Sequence, residues 1–130
     1  MAKALVVDDS KTMRTILGKM LVGIGYEVCQ AGNGREALEV MDREYPDVSL
    51  VLADWNMPEM NGLELVEAVR ADERLNGLRL MMVTTETEIA HIERALQAGA
   101  NEYVMKPFSK EVIQEKLKLL GVEGDGIHAA

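Results

Sequence analysis

The chain has 130 residues and a mass of 14.4 kDa, the size of one ordinary domain. Its 48% hydrophobic and 28% charged content is that of a folded, water-soluble chain. Fourteen basic residues against 22 acidic ones give a net charge of -8, which speaks against nucleic acid and anionic membrane surfaces as partners.

The single Cys29 cannot form an internal disulfide or a thiolate metal cage. The N-terminus holds one lysine and a short apolar run before two aspartates, too little for a signal peptide. No apolar run approaches the ~20 residues that span a bilayer. These features predict a cytoplasmic protein with no membrane insertion.

Lys3–Val7 reads as a strand. Ser10 is a candidate N-cap, and Met13, Ile16, Leu17, Met20, Leu21 and Ile24 then fall on one helical face that Gly25 ends. Tyr26–Ala31 is a second strand, and Asn33 caps a helix over Gly34–Arg43. Val48–Ala53 is apolar on both faces, as a strand inside a parallel sheet must be. Met57–Asn61 is a loop and Gly62–Ala71 a third helix. Arg79–Val83 is a strand, Glu88–Ala98 a helix stopped by Gly99, and Glu102–Met105 the last strand. Ser109 caps a final helix through Leu120. Residues 121–130 hold three glycines and few apolar residues, and read as a short flexible tail behind a domain over 1–120.

Five βα units in series imply an α/β fold, a parallel sheet with helices on both faces. Ligands of such folds bind beyond the carboxyl ends of the strands. There the sequence offers Asp8 and Asp9 after strand 1, Asp54 after strand 3, Thr84 after strand 4 and Lys106 after strand 5. Three carboxylates drawn together repel one another and raise each other's pKa unless a cation sits among them. An all-oxygen set suits Mg²⁺. A metal, an ammonium and a hydroxyl around one carboxylate suit a phosphoryl group, with the central Asp54 as nucleophile and Asp8 and Asp9 left for the metal. Taken singly, each residue has a plainer role: an aspartate or Thr84 as a helix cap, Lys106 as a solvated cation. Their coincidence at strand exits favours a site.

These residues resemble the response-regulator receiver family, and within it the single-domain chemotaxis type. The likeness runs from Lys3 to about Leu120 and rests on Asp8–Asp9, Asp54-Trp55-Asn56-Met57-Pro58, Asn61–Gly62, Thr84 and Lys106-Pro107-Phe108. It implies a flavodoxin-like sheet of order 2-1-3-4-5. It implies phosphorylation of Asp54 by a histidine kinase, with Mg²⁺ held by Asp9, Asp54 and the backbone carbonyl of Asn56 while Asp8 assists through water. Thr84 and Lys106 would bind the phosphoryl oxygens, and the Lys106–Pro107 peptide would be cis. Tyr103 would turn inward as Thr84 moves. Asn56 and Glu86 would govern the lifetime of the acyl phosphate. The output surface would include Ile89, Tyr103 and Lys116, and would be read by a flagellar motor switch protein or another protein target, with a phosphatase as a further partner. In the flagellar type the first turn of the fourth helix carries lysines; here Glu88 and Ile89 stand there.

Two rival readings share parts of the pattern. Gly32-Asn33-Gly34-Arg35-Glu36-Ala37 matches a dinucleotide fingerprint, but in the second βα unit and in a chain too short for two nucleotide halves. An aspartyl-phosphate phosphatase would share the nucleophile and metal, but would need a cap domain for which no segment is long enough. A stand-alone receiver that relays phosphoryl groups is the alternative output, since no effector domain is expected after residue 120. Cys29 reads as a small core residue, the methionines as packing, and His91 and His128 as solvated histidines without a partner at metal-ligand spacing.

Overall fold

The computed structural model describes residues 2–120, so the tail expected over 121–130, with His128, lies outside the described residues. Five strands, β1 (Lys3–Val7), β2 (Glu27–Ala31), β3 (Val48–Ala53), β4 (Arg79–Thr84) and β5 (Glu102–Met105), alternate with five helices. The helices are α1 (Lys11–Ile24), α2 (Gly34–Glu44), α3 (Gly62–Arg70), α4 (Ile89–Ala98) and α5 (Lys110–Leu120). A short 3-10 turn at Glu73–Leu75, which hydrophobic periodicity does not announce, follows α3. All four strand pairings are parallel, in the order β2-β1-β3-β4-β5.

Strand alternation sorts the core into two layers. Leu5, Val7, Val51, Ala53, Leu80 and Met82 face α2, α3 and α4, where they meet Val40, Met41, Val66 and Ala95. Ala4, Val6, Leu50, Leu52, Met81 and Val83 face α1 and α5, where they meet Leu17, Leu21, Ile113 and Leu117. Residues of β1, β3 and β4 are therefore apolar on both faces, and these are the three inner strands. The edge strand β2 is less buried, and Cys29 on it is only partly covered, packed against the first layer. Its thiol lies 3.7 Å from the Ala4 carbonyl, and burial pushes its pKa up.

Helix ends follow their sequence signals. Ser10 Oγ accepts from Met13 N–H at 3.2 Å, and Asn33 Oδ1 accepts from Glu36 N–H at 2.8 Å. Gly25 closes α1 in the left-handed region, at φ 116°. Asn61 and Glu64 form a reciprocal capping box at the start of α3. That cap fixes the chain directly after the loop that carries Asp54.

Gly62 makes the close approach there. A Cβ at this position would stand 2.5 Å from the Asp54 carbonyl oxygen and 2.8 Å from Trp55 Cα. Neither backbone atom can yield without moving the loop. Gly62→Ala is expected to lower stability by about 1–3 kcal/mol, the usual cost of overpacking a filled site. Urea unfolding measures it, and a loss under about 0.5 kcal/mol would show that the contact is slack.

Candidate functional site

The crevice forms where the chain leaves β1, β3, β4 and β5. Backbone bonds set the depth of the two central aspartates. Asp8 N–H donates to the Ala31 carbonyl at 3.1 Å and Asp54 N–H to the Val7 carbonyl at 3.0 Å. The two therefore continue the sheet just as the strands splay. Asp8 is 1% exposed and Asp54 8% exposed, whereas Asp9 faces solvent. Carboxylate oxygens of Asp8, Asp9 and Asp54 lie within 4.8 Å of one another.

Lys106 answers this charge. Its ammonium stands 2.8 Å from Asp8 Oδ2 and 3.4 Å from Asp54 Oδ2. Burial alone would lower the pKa of the ammonium. The hydrogen bond to Asp8 and the charges of Asp54 and Asp8 outweigh burial and hold it above the ordinary lysine value. The remaining oxygens also have donors. Asp8 Oδ1 accepts from Ser10 N–H at 2.9 Å, and Asp54 Oδ1 accepts from Asn56 N–H at 3.4 Å. Arg14 Nη1 donates to the Asp8 carbonyl at 2.6 Å and its Nε to Gln30 at 3.1 Å, bracing the β1–α1 turn from outside. The three carboxylates form an all-oxygen set that could hold a metal ion, with Asp9 as its exposed member.

Thr84 closes the crevice from β4. It is fully buried, and α4 begins five residues later at Ile89, so Thr84 does not cap that helix. The register pairs Ala53 with Met82, which sets Asp54 level with Val83 and one step short of Thr84. Thr84 is joined to β5 by Lys106 N–H, which donates to its carbonyl at 2.9 Å. The Lys106–Pro107 peptide that follows is cis.

Glu86 is the junction between this crevice and the surface. Its N–H donates to Thr84 Oγ at 3.1 Å, and its carbonyl accepts from the Tyr103 hydroxyl at 3.0 Å. The Tyr103 ring lies partly buried against the first core layer. Burial first, then the charges of Glu86 and Asp54, push its phenol up to about 12. The carboxylate of Glu86 binds His91 Nδ1 at 2.8 Å, a contact that lowers the glutamate's pKa.

His91 thus departs from the solvated histidine expected of its sequence position. Its ring stacks on Trp55, with centroids 5.1 Å apart and planes 16° apart. Glu86, Glu88 and His91 also bring ligand atoms within 4.8 Å of one another, a grouping already suggested by the i, i+3 spacing of Glu88 and His91. The Gly32–Gly34 stretch lies at the exit of the edge strand, next to the Arg14 that braces the Asp8 turn, and there Asn33 caps α2 and donates to Glu59 at 3.1 Å.

Comparison with known proteins decides the family. Residues 4–118 match the model of the response regulator receiver domain. The chain belongs to that family. Over 119 residues it is 49% identical to the chemotaxis protein CheY1 of Helicobacter pylori strain J99, covering 91% of this chain and 95% of that protein. Over 129 residues it is 46% identical to the chemotaxis protein CheY homolog of Campylobacter jejuni, covering 98% of both. Among solved structures, Vibrio cholerae CheY4 superposes with a TM-score of 0.85 at 36% identity, over 92% of this chain and 98% of that one. The fold is CheY-like, and the sheet order is the one the family resemblance implied.

Within this receiver the three residues expected on an output face sit on α4, β5 and α5. Ile89 opens α4 and is 72% exposed, Tyr103 is partly buried on β5, and Lys116 on α5 pairs with Glu102 at 3.3 Å. Glu88, the residue before α4, makes no side-chain cap hydrogen bond and lies largely in solvent.

Lys106 is the only cation within 4.0 Å of the Asp8 and Asp54 carboxylates among the described residues. Lys106→Met keeps the length of the side chain and removes the charge. It is expected to cost about 2–4 kcal/mol in metal-free buffer, because it leaves two buried carboxylates without their cation. Added Mg²⁺ should restore part of that loss. Urea unfolding in EDTA and in Mg²⁺ measures both, and an equal loss in the two buffers would contradict this role for the ammonium.

Proposed function

We propose that this chain is a chemotaxis response regulator of the CheY type, phosphorylated on Asp54 by a histidine kinase. The observation that supports it most strongly is the placement of Asp54: Lys106 at 3.4 Å, two further carboxylates within 4.8 Å, and Thr84 one step away on the neighbouring strand. A carboxylate so placed can attack phosphorus in line. In the transfer, an Asp54 oxygen forms the new bond to phosphorus. The bond from phosphorus to the kinase's histidine nitrogen breaks, and that nitrogen keeps the electron pair.

Asp8, Asp9, Asp54 and the Asn56 carbonyl would hold Mg²⁺, which supplies positive charge to the phosphoryl oxygens. Lys106 neutralises a second phosphoryl oxygen by releasing Asp54, while keeping its shorter contact with Asp8. Thr84 donates its hydroxyl to a third. That hydroxyl now accepts from Glu86 N–H, so its own proton is free to turn toward the phosphoryl group. The chain turns over no external substrate; it catalyses its own phosphoryl transfer and its own dephosphorylation, with Asn56 and Glu86 at the mouth of the site governing the second.

Readout follows from the Thr84–Glu86–Tyr103 chain. Movement of Thr84 toward a phosphoryl oxygen pulls on the segment whose carbonyl holds the Tyr103 hydroxyl. Phosphorylation then biases the α4–β5–α5 face toward binding a cytoplasmic target, in chemotaxis the flagellar motor switch, at Ile89, Tyr103 and Lys116. Coupling of this kind is worth about 1–3 kcal/mol.

A small phosphodonor, such as phosphoramidate, tests the acceptor. With Mg²⁺ present the wild type should take up a label that alkali removes, as an acyl phosphate requires, and Asp54→Asn should show background label with its fold intact. Label that persists on the variant would place the nucleophile elsewhere. Trp55, the single tryptophan, adjoins Asp54, so Mg²⁺ and then beryllofluoride should each change its emission. A folded wild type silent to both would argue against the site.

A further inference from the structure

The contacts of His91 have no part in the transfer step. Its Nδ1 lies 2.8 Å from Glu86 Oε1, and one ring face rests on Trp55. An ionised carboxylate only accepts, so the ring carries its proton on Nδ1 and donates it. Glu86 Oε1 takes a second bond, from Glu88 N–H at 3.2 Å. Both donors fall on one oxygen, and Oε2 accepts from no protein group among the described residues. A glutamate with a free end loses much rotamer entropy when it is fixed. Here the cost is met by two donors and by a ring that is itself immobilised against the residue next to Asp54. The other ring nitrogen stands 3.7 Å from Glu88 Oε2, too far for a hydrogen bond.

Hydrolysis of an acyl phosphate on Asp54 needs a water aimed at phosphorus. The water oxygen bonds to phosphorus, and the bond from phosphorus to the Asp54 oxygen breaks with its electron pair left on the carboxylate. The proton shed by the water leaves with inorganic phosphate and solvent. A carboxylate oxygen held near the path of that water, and not otherwise bonded, can accept from it and fix its approach. Glu86 follows Thr84 by two residues and its N–H donates to the Thr84 hydroxyl, which anchors its backbone at the residue that closes the crevice.

We propose that His91 is a positioning residue for this hydrolysis: it holds Glu86 Oε1, so that Oε2 stands ready to orient the attacking water. The proposal rests on phosphorylation at Asp54 and concerns only the step that removes the phosphoryl group.

Decay of the label after removal of the phosphodonor tests it, in the full-length chain with Mg²⁺. Two variants separate the hydrogen bond from the packing. His91→Phe keeps a ring on Trp55 and lacks the donor. His91→Asn keeps a donor near the place of Nδ1 and lacks the ring. The Phe variant should slow decay by about threefold to tenfold, within the range a positioned proton acceptor supplies. The Asn variant should stay close to wild type. Glu86→Ala should slow decay as well, and adding His91→Phe to it should change nothing more, since the two groups act as a unit.

Wild-type decay in His91→Phe, or equal slowing by that change with and without Glu86, would overturn the proposal while leaving the phosphorylation site standing. A wild type that takes no label, or label surviving Asp54→Asn, would overturn the phosphorylation reading and this proposal with it.

Discussion

One ammonium among three carboxylates sets the terms for this molecule. Parallel strands that end together bring Asp8, Asp9 and Asp54 within 4.8 Å, and two of them are buried. Such a group is unstable alone, because like charges in a poorly solvated place raise each other's free energy. Lys106 offsets part of that cost from just past the last strand, 98 residues after Asp8. The ion pair therefore ties the first strand to the last across the sheet. It also leaves the crevice with a net negative charge, which a divalent cation would complete and a phosphoryl group would then share. Stability and chemistry draw on the same contacts here.

The path outward depends on a single residue that belongs to neither a strand nor a helix. Glu86 reaches Thr84 by its N–H, Tyr103 by its carbonyl, and His91 by its carboxylate. A loop residue with so many fixed partners is a rigid connector, and a shift at Thr84 has few ways to dissipate before it meets Tyr103. This gives the coupling a physical element to act through, beyond mere proximity of two sites. The Trp55–His91 stack adds a second tie, from the segment that carries Asp54 to the first turns of α4. The crevice and the outer face are thus joined by both β4 and β3.

Much of this is legible in the amino-acid sequence. Short Val- and Leu-rich runs alternating with helical periods announce five βα units, and the exits of four of the five strands show their functional residues in plain sequence. The caps at Ser10 and Asn33 were readable from residue type. Sheet order was not: periodicity says that a strand is buried on both faces, not which strand lies beside it, and the order came from family resemblance. The capping box at Asn61 shows in its Asn-x-x-Glu spacing, which makes the last residue of the Met57–Asn61 loop the cap of α3. His91 stands at i−4 from Ala95 and i−7 from Ala98, on the face that α4 turns to the core, so its helical spacing carries a signal that its polar residue type masks. Its partner Glu86 is near in sequence, but Trp55 comes from another βα unit, and only the fold brings that ring onto the imidazole. The same holds for Arg14, whose role at the Asp8 carbonyl needs the β1–α1 turn to be seen.

In the proposed function, charge placed on Asp54 is felt at the outer face through Thr84, Glu86 and Tyr103. Amide chemical shifts of the wild type, recorded with Mg²⁺ before and after beryllofluoride, address it most directly. Shifts are expected in the loops around Asp9, Asp54 and Lys106, continuing through Glu86 to Tyr103 and Ile89. Shifts confined to those three loops, with Tyr103 and the first turn of α4 unchanged, would contradict the coupling.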